Sequence, residues 1–202
     1  MRKKKNLLPR LEAVSDFFIK DISEFEDFSN IYLEIGCGKG TFITESAKRN
    51  PKRQYVAIEK VSSVILLAAE KAARENLKNV RFYLGDAENL RDLKNSNFCD
   101  KIFLNFSDPW PRTRHAKRRL TADGFLELYK KLLSSDGEIQ MKTDNTELFD
   151  FSLETFPANG FELSEVTRDL HAEVAPWNIV TEYEQNFVSQ GVPIKRLVAK
   201  LQ

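Results

Sequence analysis

Seven short runs of aliphatic, β-branched and aromatic residues recur along the chain: IYLEI (31–35), QYVAIE (54–59), VRFYL (80–84), KIFLNF (101–106), GEIQMK (137–142), FELSEVT (161–167) and IKRLVAKL (194–201). Between them, stretches near 41–49, 61–77, 121–134 and 145–156 place apolar residues at helical spacing. Such alternation predicts an α/β fold, a mostly parallel sheet with helices on both faces. Asp144 or Asn145 is a candidate N-cap for the last of these helices, and Gly160 its stop. The final two runs have no helical pattern between them and are expected to pair antiparallel at one edge. Residues 168–193, which separate them, read as long, polar and irregular, the kind of segment that carries function. The expected architecture is therefore a seven-stranded sheet in a single domain, 1–202, with a basic and helical extension (1–30) ahead of a core (31–202).

The chain has 202 residues, 42% of them hydrophobic and 15 of them Phe, which suits one packed domain. Lys and Arg number 31 against 30 Asp and Glu, so the net charge of +1 selects no polyanionic partner by itself. Distribution is more informative: RKKK occupies 2–5, and a second group of cations follows Asp108. No apolar run approaches the roughly 18 residues of a membrane span, and no signal-peptide core is present, which predicts a soluble cytoplasmic protein. Cys37 and Cys99 are too few for a disulfide framework, and two histidines without a Cys/His cluster predict no metal site.

LEIGCGKGTF follows the first run and opens a helical stretch. Glycines at 36, 38 and 40 allow a tight turn and close approach of a ligand to the backbone. G-x-G-x-G alone is a weak signal, since strand-to-helix turns often carry glycines for packing. Acids at neighbouring strand ends strengthen it. Glu34 interrupts an apolar strand just before the glycines; Glu59 ends the second strand, where a carboxylate can accept both ribose hydroxyls; Asp86 ends the third, suited to an adenine amine. A pyrophosphate would be repelled by Glu34. A cationic ligand with an amino group fits better, and S-adenosylmethionine, with its ammonium and sulfonium, has that chemistry.

NFSDPWPRTRHAKRRL (105–120) poses the second question, a lone acid at a strand end followed at once by cations. In an open α/β sheet the carboxyl ends of the strands border the ligand crevice, so Asp108 is expected near the donor's methyl group. Pro109 and Pro111 restrict the loop. Trp110 either stacks on a base or packs beneath the loop. Arg112, Arg114, Lys117, Arg118 and Arg119 either follow a phosphate backbone, which would make binding strongly salt-dependent, or form a solvated face.

These blocks, with KTDNTELFDFSLETF and TEYEQNFVSQGVPIKR, resemble the signature segments of the bacterial tRNA (guanine-N7)-methyltransferase family, in the family's order across about 31–196. The resemblance implies a class I (Rossmann-like) methyltransferase fold, S-adenosyl-L-methionine as donor, and methylation of a tRNA variable-loop guanine, position 46 in tRNA convention. By position, it implies donor-site roles for Glu34, Gly36, Gly38, Gly40, Glu59, Asp86 and Asp108, with Asp108 also catalytic. It implies substrate contacts from Arg112, Asp144, Thr181, Glu182, Tyr183 and Glu184, and RNA contacts from Arg114, His115, Ala116, Lys117, Arg118 and Arg119. Arg112 departs from the family's usual Lys, which keeps the charge and changes hydrogen-bond geometry. Residues 1–30 have no clear counterpart, and no protein partner is required, so a monomer or homodimer is expected.

Guanine N7 already carries a lone pair, so no general base is needed, and holding N7 in line with the sulfonium supplies most of the catalysis. Asp108, Asp144, Glu182 and Glu184 are the acids available to accept from guanine N1–H and N2–H₂. Asp144 also reads as a helix cap, and TEYE as a solvated turn. His115 and His171 are expected to be structural or RNA-facing. Two rival readings are a methyltransferase acting on a different RNA, a protein or a small molecule, and a non-enzymatic RNA-binding protein.

Overall fold

Parallel strands cannot be joined by a tight turn, and the first half of the chain is shaped by the helices that join them instead. The computed structural model describes residues 6–94 and 96–201, and the RKKK segment at 2–5 lies outside the described residues. Two units are compact in themselves, Met1–Lys94 and Asn95–Gln202.

In the first unit, α1 (Leu7–Ala13) precedes β1 (Phe18–Ile19) and β2 (Ile31–Ile35); α2 (Thr41–Arg49) leads to β3 (Tyr55–Glu59), and α3 (Ser62–Arg74) to β4 (Val80–Leu84). Strand order is β1-β4-β3-β2, and every pair is parallel. α3 turns Ile65, Leu66, Ala68, Ala69 and Ala72 inward and buries them. Ile43, Ala57, Val80 and Phe82 complete that core, with Leu7 and Leu11 of α1 packed on it. Arg10 fixes α1 from outside through paired hydrogen bonds of 2.7 and 2.6 Å to Glu70. Ile35 lies opposite Ile58, and Glu59 opposite Leu84. The carboxyl ends of β2, β3 and β4 are therefore close to level, which brings three acids to one edge.

In the second unit, β5 (Cys99–Asn105) is followed by a 3-10 turn over Thr113–Arg118, then α4 (Asp123–Leu132), β6 (Leu133–Thr143), α5 (Thr146–Ala158), β7 (Phe161–Thr167), α6 (Glu182–Ser189) and β8 (Lys195–Leu201). Strand order is β5-β6-β8-β7; β5 and β6 run parallel, while β8 is antiparallel to both its neighbours. α4 buries Phe125, Leu126, Leu128, Tyr129 and Leu132. Asn145 caps α5, its side chain accepting from Leu148 N–H at 2.8 Å, and Gly160 follows the helix end at φ +79°.

The α/β class, the seven strand runs and the antiparallel edge agree with the sequence reading. Among the described residues, 1–30 hold α1, β1 and two 3-10 turns. Two features differ from the reading. An eighth, two-residue strand, β1, pairs with β4 and is too short to leave a periodic signal. α6 lies between the last two strands, where irregular chain was expected; Thr181 starts it by accepting the Glu184 N–H at 3.1 Å.

Candidate active site

β2 is apolar except for Glu34, which is 2% exposed. Beyond it the chain turns through Gly36, Gly38 and Gly40 at φ +80°, +57° and +76°, conformations that side chains with a Cβ rarely adopt. The N–H groups of Gly36 and Cys37 both donate to the Ile58 carbonyl, at 2.8 and 3.0 Å, which pins the turn to β3. A Cβ at Gly40 would stand 2.5 Å from that of Ala68, so this glycine serves packing. At Gly36 and Gly38 a Cβ would meet nothing within 4 Å, which leaves the turn's outer face open to a ligand.

Glu59 closes over the turn from β3, accepting from Gly38 N–H at 3.3 Å and Val61 N–H at 2.9 Å. Asp86 caps the 3-10 turn at Ala87–Asp92, taking the Glu88 N–H at 3.1 Å, and its carboxylate faces solvent. The local potential is negative: burial pushes the Cys37 thiol up, and the charges of Glu34 and Glu59 push it further. Val61 and Leu84, beside Glu59 and shortly before Asp86, expose apolar surface at 44% and 39%. An open glycine turn, nearby carboxylates and exposed apolar side chains suit a cationic ligand with a flat ring.

The second unit presents a different arrangement. After β5 the backbone enters the left-handed region twice, at Phe106 (φ +54°) and Trp110 (φ +43°). Bulky residues pay about 1–3 kcal/mol for such a conformation, and strain of this kind gathers at functional sites. Asp108 lies between them, exposed, its carboxylate without a partner among the described residues. Asp144 directly follows β6, the parallel neighbour of β5. Its carbonyl accepts from Lys195 Nζ at 2.8 Å, while its carboxylate also has no partner among the described residues. Two adjacent parallel strands thus each lead into an uncommitted acid.

Lys142, near the end of β6, ties this region together. Its Nζ donates to Asn178 Oδ1 at 3.0 Å, to the Ile179 carbonyl at 3.0 Å and to Glu184 Oε2 at 2.6 Å. The other Glu184 oxygen takes Asn178 Nδ2 at 2.6 Å and meets His171 Nε2 at 2.9 Å. Phe106 donates its N–H to the Lys142 carbonyl at 2.8 Å and stacks on Phe187 of α6 at 6.3 Å. The ends of β5, β6 and α6 therefore converge on one lysine. Burial raises the Glu184 carboxyl, but the Lys142 charge and the bonds from Lys142, Asn178 and His171 outweigh it, so its pKa lies below the ordinary value.

The structure separates residues that the sequence grouped. In TEYE, Thr181 caps α6, Glu182 and Tyr183 are exposed, and Glu184 is fully buried with both oxygens engaged inside the protein. In the basic strip, Arg112, Arg114, Lys117 and Arg118 are exposed, whereas Arg119 is 8% exposed. His115 and Ala116 are partly covered. Trp110 packs within the loop, edge-on to His115 at 5.8 Å and under the Arg118 guanidinium at 5.0 Å. Lys142, Asn178 and Phe187 were not legible as site residues; β6 reads LSSDGEIQMKT, polar at most of its positions, so its lysine does not stand out. Among the described residues, no group of three or more His, Cys, Asp or Glu is arranged to hold a metal ion, and no helix is long and apolar enough to cross a membrane.

An α/β fold with a glycine turn and acids at successive strand ends defines a class I methyltransferase fold, and a solved 16S rRNA methyltransferase, KamB, shares it. The likeness has a TM-score of 0.66 at 15% identity and covers 90% of this chain and 94% of that one. A family model described as "Putative methyltransferase" matches residues 29–197. The tRNA (guanine-N(7)-)-methyltransferase of Lachnoclostridium phytofermentans is 47% identical over 196 residues, covering 93% of this chain and 92% of that protein. The same-named protein of Clostridioides difficile is 41% identical over 208 residues, covering 98% and 97%. The chain belongs to the tRNA (guanine-N7)-methyltransferase family.

Proposed function

We propose that this protein transfers a methyl group from S-adenosyl-L-methionine to N7 of a guanine in the variable loop of tRNA, at position 46 in tRNA convention. The reading treats 1–202 as one catalytic domain with residues 1–30 as its N-terminal extension. The observation that carries it is the pair of uncommitted carboxylates, Asp108 and Asp144, after adjacent parallel strands, with exposed Arg112, Arg114, Lys117 and Arg118 following Asp108 in the same unit.

The first unit fits the donor. Gly36 and Gly38 leave room for its chain, Glu34 supplies negative charge for the ammonium, Glu59 accepts from the ribose hydroxyls, Asp86 accepts from the adenine amine, and Val61 and Leu84 flank the ring. When bound, the donor supplies an electrophilic methyl on a sulfonium. In the second unit, Asp108 and Asp144 accept from guanine N1–H and N2–H₂, and that grip turns N7 outward. Glu184 orients the α6 entrance from within the protein, while Thr181, Glu182 and Tyr183 remain on the substrate side. N7 attacks through its existing lone pair, so no side chain has to remove a proton first. Asp108 offsets the positive charge that grows on the ring, and positioning at near-attack distance is worth about 7–11 kcal/mol. The exposed cations follow the tRNA phosphates.

Unmodified tRNA incubated with the protein and methyl-labelled donor should acquire label at N7 of one variable-loop guanine. Label on another nucleotide, or on protein and not RNA, would replace this reading with a methyltransferase of different substrate.

A further inference from the structure

We propose that Arg119, the last cation of the basic strip, is the positioning residue of the Asp108 loop and does not contact RNA. Pro109 and Pro111 have no N–H, so among residues 109–111 only Trp110 carries a backbone donor, and the loop's carbonyls need donors from elsewhere. Arg119 provides them, Nε donating to the Pro109 carbonyl at 3.0 Å and one terminal nitrogen to the Trp110 carbonyl at 3.3 Å. Its guanidinium lies over the Phe151 ring at 4.5 Å, and only 8% of the residue is exposed. Its own backbone is fixed, its N–H donating to Ala116 and its carbonyl accepting from Ala122, at 3.0 Å each.

The clamp grips the two residues directly after Asp108, one of them Trp110 in its left-handed conformation. A planar guanidinium donates to the two successive carbonyls from two nitrogens held in a fixed relation while its flat face lies on the ring; an ammonium is a compact point charge on a flexible stem and does not reproduce that fixed geometry. With 8% of Arg119 exposed, a phosphate has little access to its remaining N–H groups, whereas Arg114, Lys117 and Arg118 are exposed. One basic strip thus serves two purposes, exposed cations for the RNA and one inward cation for the loop.

The inference rests on the proposed tRNA methylation for its kinetic arm and has a second arm independent of it. In single-turnover methylation at saturating tRNA, Arg119→Ala should be slower by about 10²-fold, since a small misplacement of a reacting group costs that much. Its tRNA affinity and salt dependence should match wild type. Arg119→Lys keeps the charge and should stay slow, while added guanidinium should restore part of the Ala variant's rate. Arg114→Ala, by contrast, should lower the log–log salt slope of tRNA binding by roughly 0.7–0.9.

The second arm uses a Trp177→Phe background, which leaves Trp110 as the only tryptophan. Acrylamide should quench Trp110 more readily when Arg119 is Lys or Ala. Unchanged quenching overturns the proposal, whether or not tRNA proves to be the substrate. So does full rescue by Lys, or a lost phosphate contact with normal saturated turnover. If the Ala variant does not fold, the Lys variant decides both arms. Failure of wild type to methylate tRNA counts against the proposed function and leaves the quenching arm to judge the clamp.

Discussion

Met1–Lys94 buries one charged side chain among its described residues, Glu34, and that residue belongs to the candidate donor site, whereas Asn95–Gln202 buries five: Arg119, Lys142, Glu184, Lys195 and Arg196. The first unit holds its site with backbone. Level parallel strands present the acids, and N–H bonds from Gly36 and Cys37 to the Ile58 carbonyl shape the turn, with one side-chain contribution from the Glu59 carboxylate. The second holds its site with side chains, Lys142 on Glu184 and Arg119 on two carbonyls. A backbone-built site survives most side-chain changes around it. A site built from buried ions depends on each partner, because removing one leaves the other uncompensated in a medium that solvates it poorly.

The largest expected effect tests that contrast directly. Lys142→Met should destabilise the protein by about 3–5 kcal/mol, because Glu184 is left buried without its cation. Lys142→Met combined with Glu184→Gln should recover much of the loss. Urea unfolding measures both, and a single-variant cost near that of an exposed pair would remove the distinction between the units. The same pair predicts a pH dependence. The folded Glu184 pKa is depressed below 4.5, so as pH falls the unfolded state takes up the proton first. Its contribution to stability is complete above that value and is lost as pH drops through the depressed folded pKa. Glu184→Gln should abolish this portion of the acid slope.

Asp108→Asn comes next. It keeps the shape, loses the charge and turns one acceptor into a donor facing guanine's own donors. Turnover should fall by roughly 10²–10³-fold, about 3–4 kcal/mol of transition-state stabilisation, with little change in tRNA affinity. Single-turnover rates across pH, with binding measured in parallel, separate this from general-base catalysis, which would make the rate rise as the carboxylate titrates. Near-normal turnover would leave the second unit's free acids without a role.

A smaller effect belongs to the first unit. Glu59→Ala or Asp86→Ala should weaken donor binding by at least about tenfold, from hydrogen bonds worth about 1.5–3 kcal/mol each, without unfolding the protein. Titration calorimetry with the donor checks it; unchanged affinity in both would detach the glycine turn from the donor. The smallest expected change is in salt response. Replacing Arg114, Lys117 and Arg118 together should flatten the tRNA-binding slope by roughly 0.7–0.9 per lost phosphate contact and spare donor binding. A wild-type slope would make the strip a solvated face.

Legibility followed the same division. Glu34, the glycines, Glu59 and Asp86 could be placed from the chain because each stands at a strand end, and strand ends follow from local periodicity. Asn145 and Gly160 were legible for a related reason: caps and stops act within one turn of the helix they bound. α6 was missed although Thr181-Glu182-Tyr183-Glu184 carries the T-x-x-E pattern of a helix start, because the polar sequence around it hides its one buried acid. β1 has only two residues and forms through its pairing with β4.

By itself, then, the sequence determined the alternation of strands and helices, the glycine turn, the acids at strand ends and the position of the loop around Asp108. These depend on backbone conformation and on interactions between residues near one another in the chain. Only the tertiary structure decided which charges face the solvent. Glu184 and Lys142 are 42 residues apart, and Arg119 differs from Arg118 by a single step, yet one guanidinium is buried against Phe151 and the other lies over the exposed loop. Burial of a charge is settled by whether distant groups arrive to replace its water, and no local pattern records where those groups will be.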